Sequence, residues 1–103
     1  MKKDNLLSIK AKGVSFRPGE FKNDDTMVEK LPPELKSRIL EYLKKPEPGL
    51  IGMVTLKDPV TGKCYSHESI IREKDGFEWS SATIYMFEKY DIRLSEEFLR
   101  MFV

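Results

Sequence analysis

Two turn signatures constrain this chain more than any other feature. DPVTG at 58–62 puts Pro59 second and Gly62 last in a reversing turn, and KDG at 74–76 supplies the Asp75-Gly76 pair that tolerates positive φ in a tight hairpin. Branched apolar residues fill the stretch before the first turn, LIGMVTLK at 50–57. Between the turns the best strand-forming part runs from Ser69 to Glu73, and after the second turn Phe77 and Trp79 fall on one face. Strands joined in order by short reversals form an antiparallel meander, here of three strands. The first, rich in branched apolar residues and too short for a packed helix, reads as a buried strand.

Helical spacing flanks the meander on both sides. In LPPELKSRILEYLKK the prolines suit a first turn whose N–H groups have no partner, and Glu34 and Lys44-Lys45 match the two ends of the helix dipole. Leu35, Ile39, Leu40 and Leu43 recur at helical spacing, and Pro46, Pro48 and Gly49 stop the run. After Trp79, Ser80 or Ser81 caps a second helix running to about Tyr90, and Ile84, Tyr85, Met86 and Phe87 make it apolar over much of its circumference. DIRL breaks it with Ile92 and Leu94 pointing inward. Ser95 then caps a last helix with Glu96 and Glu97 in its first turn and Phe98, Leu99 and Phe102 on its apolar side. The predicted fold is α+β: an amphipathic helix, the three-stranded antiparallel meander and two C-terminal helices packed on the sheet. Partial alternation in LLSIKAKGVSF, 6–16, offers an extra N-terminal strand.

A length of 103 residues supports one core, so 31–103 reads as a single domain preceded by a basic, partly flexible segment over 1–30. Trp79 and Phe87 are expected in that core, because a domain this small needs its largest side chains inside. No apolar run approaches the roughly 20 residues of a spanning helix, and Lys10 and Lys12 interrupt the opening too early for a signal sequence. A single cysteine, Cys64, cannot form an intramolecular disulfide, which also points to the cytoplasm. Net charge is only +1, giving no global field for nucleic acid or anionic lipid. Lys2, Lys3, Lys10, Lys12 and Arg17 against Asp4 nevertheless make nucleic-acid binding through the N-terminal segment the alternative function. The two C-terminal helices superficially match a helix-turn-helix, but Glu96 and Glu97 would meet the phosphates with the wrong sign.

Recognisable chemistry is sparse. CYSH is the one Cys/His pairing, and on a regular strand a separation of three sends Cys64 and His67 to opposite faces, leaving Cys64 as an inert, partly buried thiol. One Cys and one His do not make a zinc site. Asp58, Glu68, Glu73, Asp75, Glu78, Glu88 and Asp91 mostly sit beside turns or bases, as solubilising acids do, and Gly49, Gly52 and Gly62 match neither phosphate-binding glycine motif. The expectation is therefore no catalytic residue, no cofactor and no metal. Small-molecule binding or hydrolysis around His67 would require a cleft of a few hundred Å3, about the smallest usual size, with converging polar groups.

The order of EYLKK helix, apolar strand, DPVTG turn, DGFEW hairpin and IYMFEKYDIRLSEEFL resembles small, mostly uncharacterised bacterial proteins, some of which are immunity-type partners of polymorphic toxins. The resemblance spans about 34–101 and rests on Asp75-Gly76, Trp79, Tyr85, Glu88, Tyr90, Leu94 and Phe98. It implies a non-enzymatic, immunity- or antitoxin-like protein whose partner is another protein, with recognition on exposed acids and aromatics. Glu78, Tyr85, Glu88, Tyr90 and Asp91 are the residues expected to form that protein-binding surface.

Overall fold

A computed structural model of the protein describes residues 21–102 apart from 23 and 25, together with the backbone of Lys12–Gly13. In chain order the elements are β1 (Lys12–Gly13), α1 (Pro33–Lys44), β2 (Leu50–Lys57), β3 (Cys64–Lys74), β4 (Phe77–Ser80), α2 (Ser81–Tyr90), α3 (Glu96–Leu99) and a closing 3₁₀ turn (Arg100–Phe102). The fold is α+β, and the sheet order is β1-β4-β3-β2 with the β2/β3 and β3/β4 pairs antiparallel. Lys12 and Gly13 run parallel to Phe77 and Glu78; the rest of the N-terminal strand expected over 6–16 lies outside the described residues.

Local chemistry explains the element ends. Pro33 occupies the first turn of α1, and Lys36 N–H donates to the Pro32 carbonyl at 2.9 Å to start the helix ladder. Its far end is tied to the sheet. Trp79 Nε1 donates to the Leu43 carbonyl at 2.9 Å and Arg72 Nε to the Pro46 carbonyl at 2.9 Å, so carbonyls left over at the end of α1 are satisfied by β4 and β3. Between β3 and β4, Asp75 (φ 55°) and Gly76 (φ 85°) make the two-residue turn of positive φ that the DG pair favours. Ser80 Oγ accepts from Thr83 N–H to cap α2, and Ser95 Oγ from Phe98 N–H to cap α3. The last helix is shorter than its sequence suggests: one turn of α-helix, then the 3₁₀ turn.

The core lies on one face of the sheet. Ile39, Leu43, Trp79, Met86, Phe87, Ile92, Leu94 and Phe98 are buried there, α2 packs on β3 and β4, and α1 packs on α2. Trp79 and Phe87 are thus sealed inside, as expected, and so are Ile92 and Leu94. The helix layer does not extend over the first half of β2. Residues paired across strands share a face, and the pairs Ile51↔Ile70, Met53↔Glu68 and Arg72↔Trp79 place Ile51 and Met53 on the helix-bearing side. Even so, Ile51 is 55% and Met53 83% exposed. Leu50, on the opposite side, is 67% exposed. The expectation of a buried strand over 50–57 is therefore corrected: its residues are branched and apolar enough to form a strand, but β2 is the terminal strand of the sheet and lies beyond the helices that bury β4.

Candidate functional site

Two features stand out on this frame: the exposed edge of β2 and a polar cluster at the end of that strand. The cluster is built around Asp58, which is 1% exposed. Its Oδ1 accepts from the backbone N–H groups of Val60 (2.7 Å) and Thr61 (3.0 Å), an arrangement that winds the turn around the carboxylate. From α2, Tyr85 donates its hydroxyl to Oδ2 at 2.6 Å and Tyr90 donates to both oxygens at 2.7–2.8 Å. Lys89 Nζ lies 3.3 Å from Oδ2 and donates to the Tyr85 hydroxyl oxygen at 3.1 Å. Tyr65, from β3, stacks flat on Tyr85 with ring centroids 3.6 Å apart. A residue that sequence pattern classes with solubilising acids is thus a buried hub joining the β2–β3 turn to α2.

The electrostatics follow from that packing. Burial pushes the Asp58 carboxyl up, but donation from Tyr85, Tyr90 and the two backbone N–H groups outweighs it and holds the group well below the ordinary carboxylate range. Tyr90 is raised, first by its bond to Asp58 and then by burial, and Lys89 is raised by its bonds to Tyr85 and Asp58. Tyr65 is pushed up to about 12 by burial and by the neighbouring Tyr85 and Asp58. A carboxylate has about four acceptor positions, and here two phenols and two backbone amides occupy them, with the Lys89 ammonium 3.3 Å from Oδ2. To act as a base Asp58 would have to give up the bonds that hold it, so the geometry is that of a clamp.

The five residues expected to form a protein-binding surface fall into three places. Tyr85 and Tyr90 are brought together, half-buried, with their hydroxyls turned inward onto Asp58. Glu88 and Asp91 share Lys36, whose Nζ donates to the Glu88 carbonyl at 3.0 Å and to Asp91 Oδ1 at 2.7 Å. Asp91 also ends α2 in the left-handed region (φ 57°), while the exposed Glu88 carboxylate lies 3.3 Å from Lys44. Glu78 stands apart on β4, exposed beside Trp79 in the alternation and opposite Glu73.

Cys64 and His67 depart from expectation. A bulge between the pairs Leu56↔Ser66 and Lys57↔Cys64 places an extra β3 residue, Tyr65, in the ladder, so the simple alternation fails. Sγ comes to 3.8 Å from Nε2 and 3.9 Å from Nδ1, and Cys64 is exposed rather than partly buried. Near-equal distances to both nitrogens mean that the sulfur is in line with neither lone pair, and Sγ approaches the Ser66 carbonyl at 3.4 Å instead. The pair does not have the geometry of an activated nucleophile.

Among the described residues there is no group of three or more His, Cys, Asp or Glu placed to hold a metal, and no helix long and apolar enough to cross a membrane. A groove of about 690 Å3 runs past Glu29, Arg93, Ser95, Glu96 and Arg100 over a floor of Leu94 and Leu99. A smaller hollow of about 140 Å3 lies between the end of β2, Tyr65 and α2. Neither is lined by His67, Asp58 or Cys64, so the large groove is not the polar cleft that hydrolysis around His67 would require.

No protein-family model, curated protein or solved structure matches the chain.

That leaves the β2 edge as the feature least accounted for by folding. Leu50, Ile51, Met53 and Val54 are 46–83% exposed, and among the described residues no strand pairs with the outer side of β2. Edge strands are ordinarily blunted by charge, proline or a covering element. Between Leu50 and Leu56 there is no charge and no proline. Sequence pattern finds the strand but not its position in the sheet, and the position is what turns apolar content into an exposed surface.

Proposed function

We propose that the chain is a non-enzymatic protein-binding domain and that β2 is the surface with which it binds. The observation that carries the reading is the run of exposed apolar side chains on an unpaired strand. An added strand supplies main-chain hydrogen bonds along the edge and covers alternate side chains on both faces, the mode of recognition known as β-augmentation. Eight residues give about 27 Å of edge. Full burial of one such side chain contributes about 1.5–3 kcal/mol, and side chains left 46–83% exposed retain roughly half or more of that for association. The saturated Asp58 clamp supports the same reading, because it braces the end of β2 against α2 and uses the cluster for rigidity. An immunity- or antitoxin-like role in the cytoplasm is the biological setting we attach to this proposal, following the resemblance around 34–101.

The test is site-resolved. A photo-crosslinking residue at Met53 in the native cell is expected to yield a discrete protein adduct, and the same residue at exposed Ser37 on α1 is expected to yield none. Absence of any adduct from position 53, or equal adducts from both positions, would remove β2 as the binding surface.

A further inference from the structure

We propose that the partner of the β2 edge is a second copy of this chain, joined by antiparallel pairing of the two β2 strands about a two-fold axis at Gly52. The inference rests on β2 being the binding surface and names what occupies it.

The apolar half of β2 is symmetric about that residue in sequence. It reads Leu50-Ile51-Gly52-Met53-Val54, with two apolar side chains on either side of a glycine, and its pairing with β3 is regular from Leu50 to Met53. Turned upon itself, the segment sets Ile51 beside Met53 and Leu50 beside Val54 of the other copy. Positions of like parity oppose one another, so each side chain keeps its face of the sheet. At the centre Gly52 meets Gly52, and no side chain stands in the way of the two backbones.

Charge complements the same two-fold. Glu47 precedes the start of β2 and Lys57 ends it, so antiparallel pairing sets the glutamate-bearing end of one copy beside the lysine-bearing end of the other. Neither has an ion-pair partner among the described residues. With a net charge of only +1 per chain, self-association meets little general repulsion. Pro48 and Pro59 lie outside the two ends of the strand and limit pairing to the stretch between them. A two-fold perpendicular to the sheet makes one continuous sheet with both helix layers on the same side. Ile51 and Met53 of the two copies then fill the gap between those layers, the part of the sheet that one copy leaves uncovered.

Sedimentation of the full chain across the micromolar range is expected to give twice the 12.0 kDa of one chain. Met53→Lys, at a position that is 83% exposed and makes no demand on the fold, should weaken self-association by about tenfold or more and leave the circular dichroism unchanged. Register is read by cysteine in a Cys64→Ser background. A Cβ at Gly52 meets nothing within 4 Å, so Gly52→Cys is tolerated. Its sulfur faces its own counterpart across about 4.5–5.5 Å of Cα separation and should link the dimer on mild oxidation. Thr55→Cys, displaced from its counterpart by about 20 Å in this register, should not. A wild-type chain that remains monomeric overturns the proposal, as does a dimer that survives Met53→Lys or links through position 55 and not 52. A monomer whose position-53 crosslinker captures a different protein also overturns the second copy, while leaving β2 as the binding surface; a position 53 that captures nothing removes both.

Discussion

Phe98 is the side chain on which the closure of the core depends most visibly. It is fully buried, and its ring lies 5.2 Å from Phe102, 5.4 Å from Phe77, 5.7 Å from Tyr42 and 6.1 Å from Trp79, centroid to centroid. Those rings come from the terminal turn, β4 and α1, so one residue joins the tail to both layers. Phe98→Leu keeps apolar volume but loses the ring pairings, for about 2 kcal/mol. Phe98→Ala adds a cavity and costs about 4 kcal/mol, a large share of the roughly 5–15 kcal/mol that stabilises a domain. At about 4–8 °C per kcal/mol for a chain of this size, thermal unfolding should fall by about 10 °C for leucine and by 20 °C or more for alanine. Met101→Ala, three positions on and 41% exposed, should shift the midpoint by no more than a few degrees, roughly 0.5 kcal/mol. Melting followed by circular dichroism decides it. An alanine variant within a few degrees of wild type, or a Met101 variant equally damaged, would refute the claim that the aromatic tail seals the core.

Three further outcomes follow from the buried polar groups. The Asp58 carboxyl is held below its unfolded value, so its contribution is present above about pH 4 and is lost as pH falls through the lowered folded value; Asp58→Asn should lower the midpoint at neutral pH and flatten the acid limb of stability against pH, read by melting from neutral pH downward. Tyr65 titrates near 12, so its neutral form contributes stability below about pH 10 that disappears as pH rises toward 12; Tyr65→Phe should remove one late step from the ultraviolet tyrosinate titration. Thr83 Oγ1 is buried without a hydrogen-bond partner among the described residues, and Thr83→Val should raise stability by about 1 kcal/mol in denaturant titration; a loss of similar size would show that the hydroxyl has a partner.

The parts of the fold legible in the sequence were those governed by local chemistry. Pro33 with Glu34, the Asp75-Gly76 turn and the Ser80 and Ser95 caps each act within a few residues, and each element begins or turns where those residues place it. Inward positions such as Ile39, Leu43 and Trp79 were legible because their periodicity has one buried side. β2 is different. Its composition reports that it forms a strand, while its exposure depends on how far the helices reach across the sheet, which no local pattern encodes. The role of Asp58 is hidden from the sequence for a similar reason. The DPVTG turn signals an Asp that accepts from the backbone N–H groups after it, but the phenols that bury it arrive from 27 and 32 residues away. The spacing of Cys64 and His67 misleads because a single bulged residue reverses the alternation of a regular strand. Tyr85 and Tyr90 needed partners for their hydroxyls, and the sequence could not show that the partner lies within the chain.

Amide hydrogen exchange along β2 tests the central claim most directly. In an isolated β2 the amides that face away from β3 have no acceptor in the chain among the described residues, whereas an occupied edge gives each of them one. If β2 is the recognition surface, those outward amides will exchange slowly in wild-type protein under associating conditions and quickly in Met53→Lys, with the β3/β4 amides unchanged. Outward amides that exchange equally fast in both proteins, at every concentration and with every candidate partner present, would contradict it.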